Sequence, residues 1–359
     1  METIDLSKRF NKYNIHKFVE FIRELNKRVG FKMSARGWCY ALEQEGFVTK
    51  GQFDKVENLI NRCRKEGYLP VDLTAEESSR GFLEVHKPDT DSPKDHVTAY
   101  VEGLNECENY YEPDWWKYEE YYIQMVVEKI DLVTLFQPIC KKYHIPIANS
   151  KGWSSILQRA HYARRFKRAE ELGLKCVLLY CGDHDPDGLR ISETLRKNIE
   201  DVAKVHWNNG ERGYDPANLI IDRFGLNYDF IKKNGLTWID NLETGSGGTL
   251  AVLGDGGEPK RGYTRQGKPH PNWELPYLQN YLSEVGVRKC EANSLVIAPD
   301  AGRELCENTI IGYLGSDAFE RFQAVKQEVV DMIADYKEKY NIDSLTQDML
   351  DILDEADDN

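Results

Sequence analysis

The sequence has no long apolar run, no leader-like apolar stretch near its start and no closely spaced pair of cysteines. No run approaches the roughly 20 apolar residues that a membrane-spanning helix needs, so we expect no membrane role. The first residues are polar and charged, unlike a secretory signal, and we expect a cytoplasmic protein. The eight cysteines form no CxxC pair and no Cys/His cluster, which disfavours a zinc finger.

The chain also lacks an overall positive charge. Its formal net charge of −13 argues at first against a nucleic-acid partner, because Lys and Arg drive phosphate binding. The charge is unevenly distributed, however. Residues 1–70 carry 14 basic and 9 acidic side chains and residues 131–212 carry 14 and 10, whereas the acid is concentrated in 71–130 and 313–359. Two segments therefore keep a nucleic-acid partner open.

The length of 359 residues predicts two domains, each with its own core. Patterning divides the chain into a helical domain over 1–70, an acidic connector over 71–118, an α/β domain over 119–312, and a C-terminal helix with an acidic tail over 313–359. The connector contains three prolines and should have little regular structure. The aromatic run YYEPDWWKYEEYY at its end is expected to pack against the next domain rather than stack on bases.

Three helical patterns fill the N-terminal segment: IHKFVEFIRELNKRV, SARGWCYALEQEG and FDKVENLINRCRKEGYL. An extended YLPVDL follows them. Three short helices followed by extended chain favour a winged-helix module, although other small helical bundles share this pattern.

From residue 119 the chain alternates between strands and helices. Buried strands are predicted in YIQMVVEKI, IPIANS, CVLLYCGD and NLIIDRFGL, with amphipathic helices between them. This alternation indicates a parallel sheet covered on both faces, in which ligands collect at the carboxyl ends of the strands. The Gly-rich stretch that follows should be a surface hairpin or long loop, and the final DILDEADDN an acidic tail that frays.

Acidic residues follow two of these predicted strands. Glu128 ends one strand, and Asp183, Asp185 and Asp187 lie in the turn GDHDPDG after another. If both strands are central and parallel, the four carboxylates converge at one edge of the sheet. Crowded carboxylates repel one another, and hard cations such as Mg²⁺ or Mn²⁺ bind carboxylate oxygens. The sequence therefore predicts a metal site formed by these four residues.

Other interpretations of the acidic turn remain. D-x-D-x-D-G is typical of a calcium-binding EF-hand, but Thr194 stands where that loop needs Glu, and a strand precedes the turn. A phosphatase-type DxDGT is broken by Pro186 and Asp187. A solvated turn that caps the following helix is the third possibility. His184 is expected to be structural, pointing away from the aspartates, rather than a proton carrier.

These motifs together resemble a known family. V-V-E-K before a helix, then KGWSS, then a strand into GDHDPDG, are similar to the toprim domain of topoisomerase VI A subunits and of the related meiotic double-strand-break protein. That family also carries an Arg-x-x-aromatic-Tyr motif on a winged helix, which resembles Arg36-Gly37-Trp38-Cys39-Tyr40, with Cys39 in place of the aromatic residue. The segments IDRFGLNYDFI and CEANSL also look like the family, closest to its stand-alone bacterial, phage or plasmid members.

The resemblance implies an α/β fold: an N-terminal winged-helix domain followed by a toprim-type, Rossmann-like domain with a parallel central sheet. It implies that double-stranded DNA is cut by Tyr40, which becomes joined to a 5′ phosphate, with Arg36 supplying positive charge and Glu128, Asp183 and Asp185 holding the metal. In the family the tyrosine of one subunit meets the metal of the other, which implies a homodimer. A separately encoded ATPase subunit of the B type is a further implied partner, since no nucleotide site is evident in this chain.

The residues leave other functions open. If Tyr40 only packs in the core, the same metal site predicts a hydrolytic nuclease that activates water; a DNA-binding regulator without catalysis is the remaining alternative. For DNA contacts we expect Lys129 and the basic helix that carries Arg159, Arg164, Arg165 and Arg168, although a solvated helix face explains that helix almost as well. Such a protein would be cytoplasmic and associated with the nucleoid.

Overall fold

The computed structural model describes residues 12–70, 73–75, 92–150, 156–207, 209–244 and 247–355. The KGWSS segment lies outside these ranges. The chain divides into two compact units, of which the first takes in Met1–Glu77 and Glu120–Tyr313 and the second Ser78–Glu119 and Leu314–Asn359. The N-terminal helices thus belong to the same unit as the α/β segment, although the sequence predicts separate domains for them.

The N-terminal segment folds into the three helices that its apolar spacing predicts. Ser34 caps the second of them, because its side chain accepts a hydrogen bond from the Gly37 backbone N–H. In the described part of this segment the β pairing is limited to one bridge, between Met33 and Thr74, so the winged element is not seen there. The helices are α1 (Lys12–Val29), α2 (Ala35–Gln44) and α3 (Phe53–Lys65).

The apolar faces of α1, α2 and α3 share one core. Phe18, Trp38 and Phe53 are buried in it, and Val296 from the far end of the first unit belongs to the same cluster. Burying large side chains of this kind contributes roughly 1.5–3 kcal/mol each. The N-terminal helices are therefore packed directly on the α/β part of the unit.

The centre of the first unit is a four-stranded sheet in the order β2-β1-β3-β4, with every pairing parallel. This confirms the predicted α/β class with a parallel sheet. Six of the seven residues of β1 and of β3 are buried, as expected for inner strands covered on both faces. The elements are β1 (Tyr121–Val127), α5 (Ile130–Lys142), β2 (Ile147–Asn149), α6 (Ile156–Glu171), β3 (Lys175–Cys181), α7 (Ile191–Glu200) and β4 (Ile220–Gly225).

The rest of the first unit lies beyond β4. The Gly-rich stretch forms a hairpin, as predicted, and a 3-10 turn over Ala292–Ile297 contains most of the CEANSL segment. Isolated bridges join His184 to Cys290 and Ile239 to Lys289, which brings this region against the acidic turn. Its elements are α8 (Tyr228–Lys233), β5 (Ala251–Leu253), β6 (Pro259–Arg261), α9 (Pro276–Glu284) and α10 (Pro299–Leu314).

The second unit corrects two expectations. The acidic connector contains a helix, α4 (Pro93–Asn105), and residues 351–355 of the tail that was expected to fray end a helix, α12 (Ile342–Glu355), after the predicted helix α11 (Ala318–Tyr340). Residues 356–359 of that tail lie outside the described ranges. Ser92 and Asp95 form a capping box with Pro93 in the first turn, a start signal that composition alone obscured. The helix α12 persists because α4 packs against it.

The aromatic run at the end of the connector is used partly for packing. Trp115 is buried with its ring 4.7 Å from that of Phe322, within the second unit. Arg321 donates to both oxygens of Glu119 at 2.9 and 3.0 Å, a bidentate ion pair that ties the same two segments together. In the described residues, no helix combines the length and the apolar character that crossing a membrane would require.

Candidate acidic active site

The two acids expected at the carboxyl ends of the inner strands do converge. Val127 pairs with Cys181 at the ends of β1 and β3, and the Glu128 backbone N–H donates to the Cys181 carbonyl at 3.0 Å. The Asp183 backbone N–H in turn donates to Glu128 Oε2 at 2.7 Å. Neighbouring parallel strands thus deliver both carboxylates to one point, as the alternation of strands and helices predicts.

A glycine makes this approach possible. A Cβ atom added at Gly182 would lie 2.6 Å from Glu128 Oε2 and 2.5 Å from the Tyr180 hydroxyl oxygen. A carbon atom cannot approach oxygen atoms this closely, so a larger residue would push the Glu128 carboxylate away from Asp183. The first glycine of GDHDPDG, Gly182, is therefore a requirement of the site.

The cation between these carboxylates is the side chain of Lys129. Its Nζ donates to Glu128 Oε1 at 3.0 Å and to Asp183 Oδ2 at 2.9 Å. Although burial opposes its charge, attraction to Asp183 and Glu128 raises the pKa of Lys129. Lys129 is thus an internal counter-ion of the two acids, where the sequence predicts a DNA contact.

The pKa values of the two carboxyl groups are shifted in opposite directions. Burial raises the pKa of Asp183 to about 7, although the Lys129 ammonium opposes the shift. For Glu128 burial acts in the same direction, but Lys129 and the hydrogen bond from the Asp183 backbone outweigh it and lower the pKa. The Ala292 backbone N–H, at 2.7 Å, holds the second oxygen of Asp183. Four hydrogen bonds from three donors, the Lys129 ammonium and the backbone N–H groups of Asp183 and Ala292, therefore keep the pair in a fixed geometry.

The other two predicted ligands are held by different groups. Asp185 Oδ1 accepts from the Gly188 backbone N–H at 2.6 Å, and burial raises the pKa of Asp185. Asp187 is exposed and accepts from the Tyr277 hydroxyl at 3.3 Å. Among the described residues no three Asp, Glu, His or Cys side chains meet closely enough to hold a metal ion. The four predicted ligands share one cavity wall but do not form a ready-made metal cage.

The acids line an open cavity of about 600 Å³. Carboxylates outnumber ammonium groups on its walls, so its electrostatic field attracts cations. Ser150, Thr194 and Asn198 add neutral polar groups. The charged residues lining it are Glu128, Lys129, Asp183, Asp185, Asp187, Glu243, Lys289 and Glu291.

Arg223 in β4 holds the acidic turn from beneath, and sequence reasoning does not find it. Its guanidinium donates to the carbonyls of Asp183 at 3.0 Å and Gly188 at 3.0 Å, one at each end of the turn. It also donates to the Leu226 carbonyl at 2.9 Å. Burial lowers the pKa of Arg223. The only sequence signal is a charged pair, Asp222 and Arg223, inside a strand pattern, and it does not identify the carbonyls that Arg223 binds.

His184 points away from the acids, as the sequence predicts. Its Nδ1 donates to the Leu226 carbonyl at 3.0 Å, and its ring lies 5.6 Å from that of Tyr281 and 5.9 Å from that of Trp238. Burial lowers the pKa of His184 and favours the neutral ring. The side chain is part of an aromatic core, whereas its backbone pairs with Cys290.

Tyr40 lies in the core and next to the cavity. It is 1% exposed, and its ring packs edge-on against Phe53 at 5.0 Å. Its hydroxyl donates to Oε2 of Glu291, a residue of the cavity wall, at 2.5 Å, and accepts from Lys50 Nζ at 3.4 Å. Burial and the Glu291 carboxylate raise the pKa of Tyr40 well above its usual value.

Arg36 is not the cation closest to that hydroxyl. Its guanidinium stacks on Phe53 at 5.0 Å and pairs with Glu57 at 3.4 Å. Lys50 is the cation that makes a hydrogen bond to the hydroxyl, while the charge of Arg36 also acts on Tyr40 and opposes the rise in its pKa, as the resemblance implies. Glu291 takes the place of a base, and neither Lys50 nor Glu291 is found from the sequence. Lys50 lies in a 3-10 turn before α3, and Glu291 directly precedes the 3-10 turn over Ala292–Ile297. No local sequence pattern indicates that these two segments meet.

The predicted phosphate-binding helix α6 is partly neutralised within the chain. Arg159 pairs with Asp201 at 3.4 Å, and Glu211 pairs with both Arg164 and Arg168. Arg165 and Arg168 remain exposed to solvent. Only part of the expected surface is thus directed outward.

The site fits a divalent metal ion in its chemistry. Carboxylate oxygens at strand ends around an open, polar cavity are the donors that Mg²⁺ and Mn²⁺ prefer. Glu128 and Asp183 already bind a single cationic group, and a metal ion bound between them would replace the Lys129 ammonium. Comparison of the chain with protein-family models, curated proteins and solved structures finds no significant match, so the function has to be argued from this site.

Proposed function

We propose that this protein cleaves DNA strands at the acidic cavity with the help of Mg²⁺ or Mn²⁺. The observation that carries the proposal is the convergence of Glu128 and Asp183, from the ends of neighbouring parallel strands, on one cationic group in an open cavity. When bound, a divalent ion neutralises charge on a phosphodiester and lowers the pKa of water. The motifs that resemble the toprim family support DNA as the substrate.

The chain's own residues then have separate tasks. Glu128 and Asp183 hold the cation, and Asp185, which lines the same cavity, is the proposed further ligand. Arg223 fixes the turn that carries both aspartates. Lys129, once released from the two carboxylates, supplies positive charge to a phosphate oxygen. The helices α1 to α3, which carry more basic than acidic residues, serve as the DNA-binding element.

We assign the attack on phosphorus to water. Tyr40 is buried, and its only described polar contacts are Glu291 and Lys50, so a DNA phosphate does not reach the hydroxyl in this arrangement. Attack by water breaks the phosphorus–oxygen bond to the leaving sugar, which takes up a proton. The protein is then a hydrolytic nuclease whose tyrosine packs in the core.

A second candidate keeps Tyr40 as the nucleophile. The contact with Glu291 supports it, because a carboxylate within hydrogen-bond distance is a base for the phenol, and Lys50 would stabilise the phenolate. In this reaction the phenolic oxygen bonds to phosphorus and the sugar oxygen leaves. The homodimer and the separate ATPase subunit that the resemblance implies belong to this candidate.

One set of variants tests both candidate reactions, hydrolysis by water and attack by Tyr40. Wild type, Glu128→Gln, Asp183→Asn, Tyr40→Phe and the control Asp215→Asn are incubated with supercoiled plasmid and Mg²⁺ or EDTA. Asp215 is an acid that only caps a 3-10 turn before β4. We expect metal-dependent cleavage that falls about 100-fold or more in the two site variants and persists in Tyr40→Phe and Asp215→Asn.

Trapping with detergent separates the nucleophiles. Water as nucleophile leaves no protein on the DNA ends. Protein joined to the 5′ ends by wild type, together with loss of cleavage in Tyr40→Phe, establishes the tyrosine reaction instead. DNA binding without cleavage in either metal, unchanged by Asp183→Asn, refutes both and leaves a DNA-binding regulator.

A further inference from the structure

A short segment beside the cavity carries a concentrated positive charge that the site does not use. Residues 259–270, PKRGYTRQGKPH, contain Lys260, Arg261, Arg265 and Lys268 and no acidic residue. All four cations are exposed. We call residues 259–270 the basic arm. The chain as a whole has a net charge of −13, so a segment with four cations and no acid differs from the rest of it. Such a segment indicates a binding surface for an anionic partner.

The basic arm is an ordered extension of the hairpin. β6 pairs antiparallel with β5, and the chain continues through a bridge between Tyr263 and Pro269. The turn between them is closed by hydrogen bonds from Thr264 N to Lys268 O at 2.7 Å and from Gly267 N to Thr264 O at 2.8 Å. Arg265 and Lys268 therefore project from a defined turn.

The base of the arm is hydrogen-bonded to the segment that lines the cavity. Leu250 and Thr244 line the cavity, and the Leu250 carbonyl accepts from the Gly262 backbone N–H at 3.1 Å. Thr249 N donates to the Tyr263 carbonyl at 2.7 Å. The arm is thus hydrogen-bonded directly to Leu250, a residue that lines the cavity together with the acidic groups.

The cations at the tip are available to a ligand. Lys260 pairs with Glu258 at 3.2 Å, and Arg261 donates to the His270 carbonyl at 2.9 Å. Within the described part of the chain neither Arg265 nor Lys268 makes an ion pair. An exposed tyrosine, Tyr263, stands between the two pairs. Exposed Arg and Lys side chains are the groups that bind phosphate oxygens of a nucleic-acid backbone.

We propose that the basic arm binds the phosphate backbone of duplex DNA and holds it over the acidic cavity. This inference rests on the proposed function, because it takes DNA as the substrate. The physical reason is electrostatic: the cavity wall repels a polyanion, so a strand enters only where nearby cations lower the potential. Arg265 and Lys268 provide this charge beside the cavity.

Binding is measured with a fluorescent duplex of random sequence in EDTA, so that no cleavage occurs, over a series of salt concentrations. The variant is Arg265→Ala/Lys268→Ala. The matched control is Lys232→Ala/Lys233→Ala, which removes two exposed cations from α8 in the same unit. Each phosphate contact contributes about 0.9 to the slope of log affinity against log salt.

We expect the arm variant to bind about tenfold or more weakly at low salt and its slope to fall by about 2, whereas the α8 control keeps the wild-type slope. Arg265→Lys/Lys268→Arg, which preserves the charge, should restore both values. Equal slopes for wild type and the arm variant, or an equal loss in the α8 control, overturn the assignment.

The DNA-binding experiment and the plasmid-cleavage experiment can fail independently of each other. If the plasmid is not cleaved in Mg²⁺ but the slopes differ as expected, the basic arm binds DNA and the cleavage proposal fails. If cleavage occurs and the slopes are equal, the cavity cuts DNA and the arm plays no part in holding it. A midpoint of thermal unfolding equal to that of the wild type shows that each variant is folded.

Discussion

Tyr40 and Glu291 are 251 residues apart in the chain and are joined by a 2.5 Å hydrogen bond in which the phenol donates to the carboxylate. The contact ties helix α2 to the segment that also holds Asp183 through the Ala292 backbone N–H. Packing of the N-terminal helices and the geometry of the acidic pair are therefore linked through Glu291 and Ala292.

This contact should appear as a coupling between the two side chains. Tyr40→Phe removes the hydrogen bond to the Glu291 carboxylate and should destabilise the protein by about 1.5–3 kcal/mol, the range for a hydrogen bond to a charged group. Glu291→Gln should cost a similar amount, and the double variant less than the sum of the two. A double-mutant cycle in urea unfolding measures this; strictly additive losses would show that the contact contributes nothing.

Lys129→Met should increase the affinity for divalent metal ions. Removal of the ammonium leaves Glu128 and Asp183 without their cation, so a metal ion no longer has to displace two charge-assisted hydrogen bonds. We expect Mn²⁺ to bind roughly tenfold more tightly, since such a bond is worth about 1.5–3 kcal/mol. Titration with Mn²⁺, followed by electron paramagnetic resonance, gives the dissociation constants of the wild type and of Lys129→Met.

The same variant should be less stable without metal, because two partly buried carboxylates lose their counter-ion. Lys129→Arg retains a cation and serves as the control. Mn²⁺ affinity that is unchanged or lower in Lys129→Met would mean that the lysine does not compete for this position. Absence of Mn²⁺ binding in every variant would argue against the metal site itself.

Arg223→Lys should impair function beyond its effect on stability. A lysine cannot span the carbonyls of Asp183 and Gly188 as the guanidinium does, so the acidic turn loses its support. The matched control is Arg196→Lys, because Arg196 also donates to two carbonyls, those of Pro216 and Leu219, both at 2.6 Å. Both variants should lose stability, but only Arg223→Lys should lower plasmid cleavage, by about tenfold or more.

Cleavage measured at a temperature where both variants are fully folded checks this prediction. Equal loss of activity in the two variants would assign Arg223 a purely structural role. Mn²⁺ affinity adds an independent measurement, because only a displaced acidic turn weakens metal binding.

Two glycine substitutions in helices should shift stability in opposite directions. A Cβ atom at Gly37 in α2 would lie 2.8 Å from Asp131 Oδ1 and 3.1 Å from Met33 Cβ, so Gly37→Ala should cost about 1–3 kcal/mol. At Gly312 in α10 a Cβ atom meets nothing within 4 Å, and Gly312→Ala should stabilise by up to about 1 kcal/mol. Thermal unfolding gives the sign of each shift, and a stabilised Gly37→Ala would contradict the close packing of α2 on Asp131.

The tight packing at Gly37 has a visible cause. The buried carboxylate of Asp131, at the start of α5, accepts from the Ser34 hydroxyl at 2.7 Å and from the Ser34 backbone N–H. Ser34 caps α2 at the same time. Helix α2 therefore begins against α5, and its glycine allows that approach.

The sheet and the acidic pair could be predicted because each depends on local pattern. Runs such as CVLLYC between amphipathic helices can only be inner strands, and parallel strands end at a common edge. The helices α4 and α12 could not be predicted in the same way, since α4 lies in a segment rich in acid and proline, α12 is itself acidic, and the two helices are stabilised by packing on each other. The acidic composition of these two segments reflects the side chains that face solvent, and it does not reveal the apolar contacts between the helices.

The sequence by itself determined the parallel sheet, the position of Glu128 and Asp183 at its edge and the orientation of His184, because periodicity and strand ends are properties of short segments. Only the tertiary structure decided that Lys129 lies between the two acids, that Arg223 holds their turn and that Tyr40 is bound by Glu291. The contacts of Lys129 with Asp183, of Arg223 with Asp183 and of Tyr40 with Glu291 join residues 54, 40 and 251 positions apart. Local sequence patterns do not reveal which residues so far apart will meet, because their contact depends on how the elements pack.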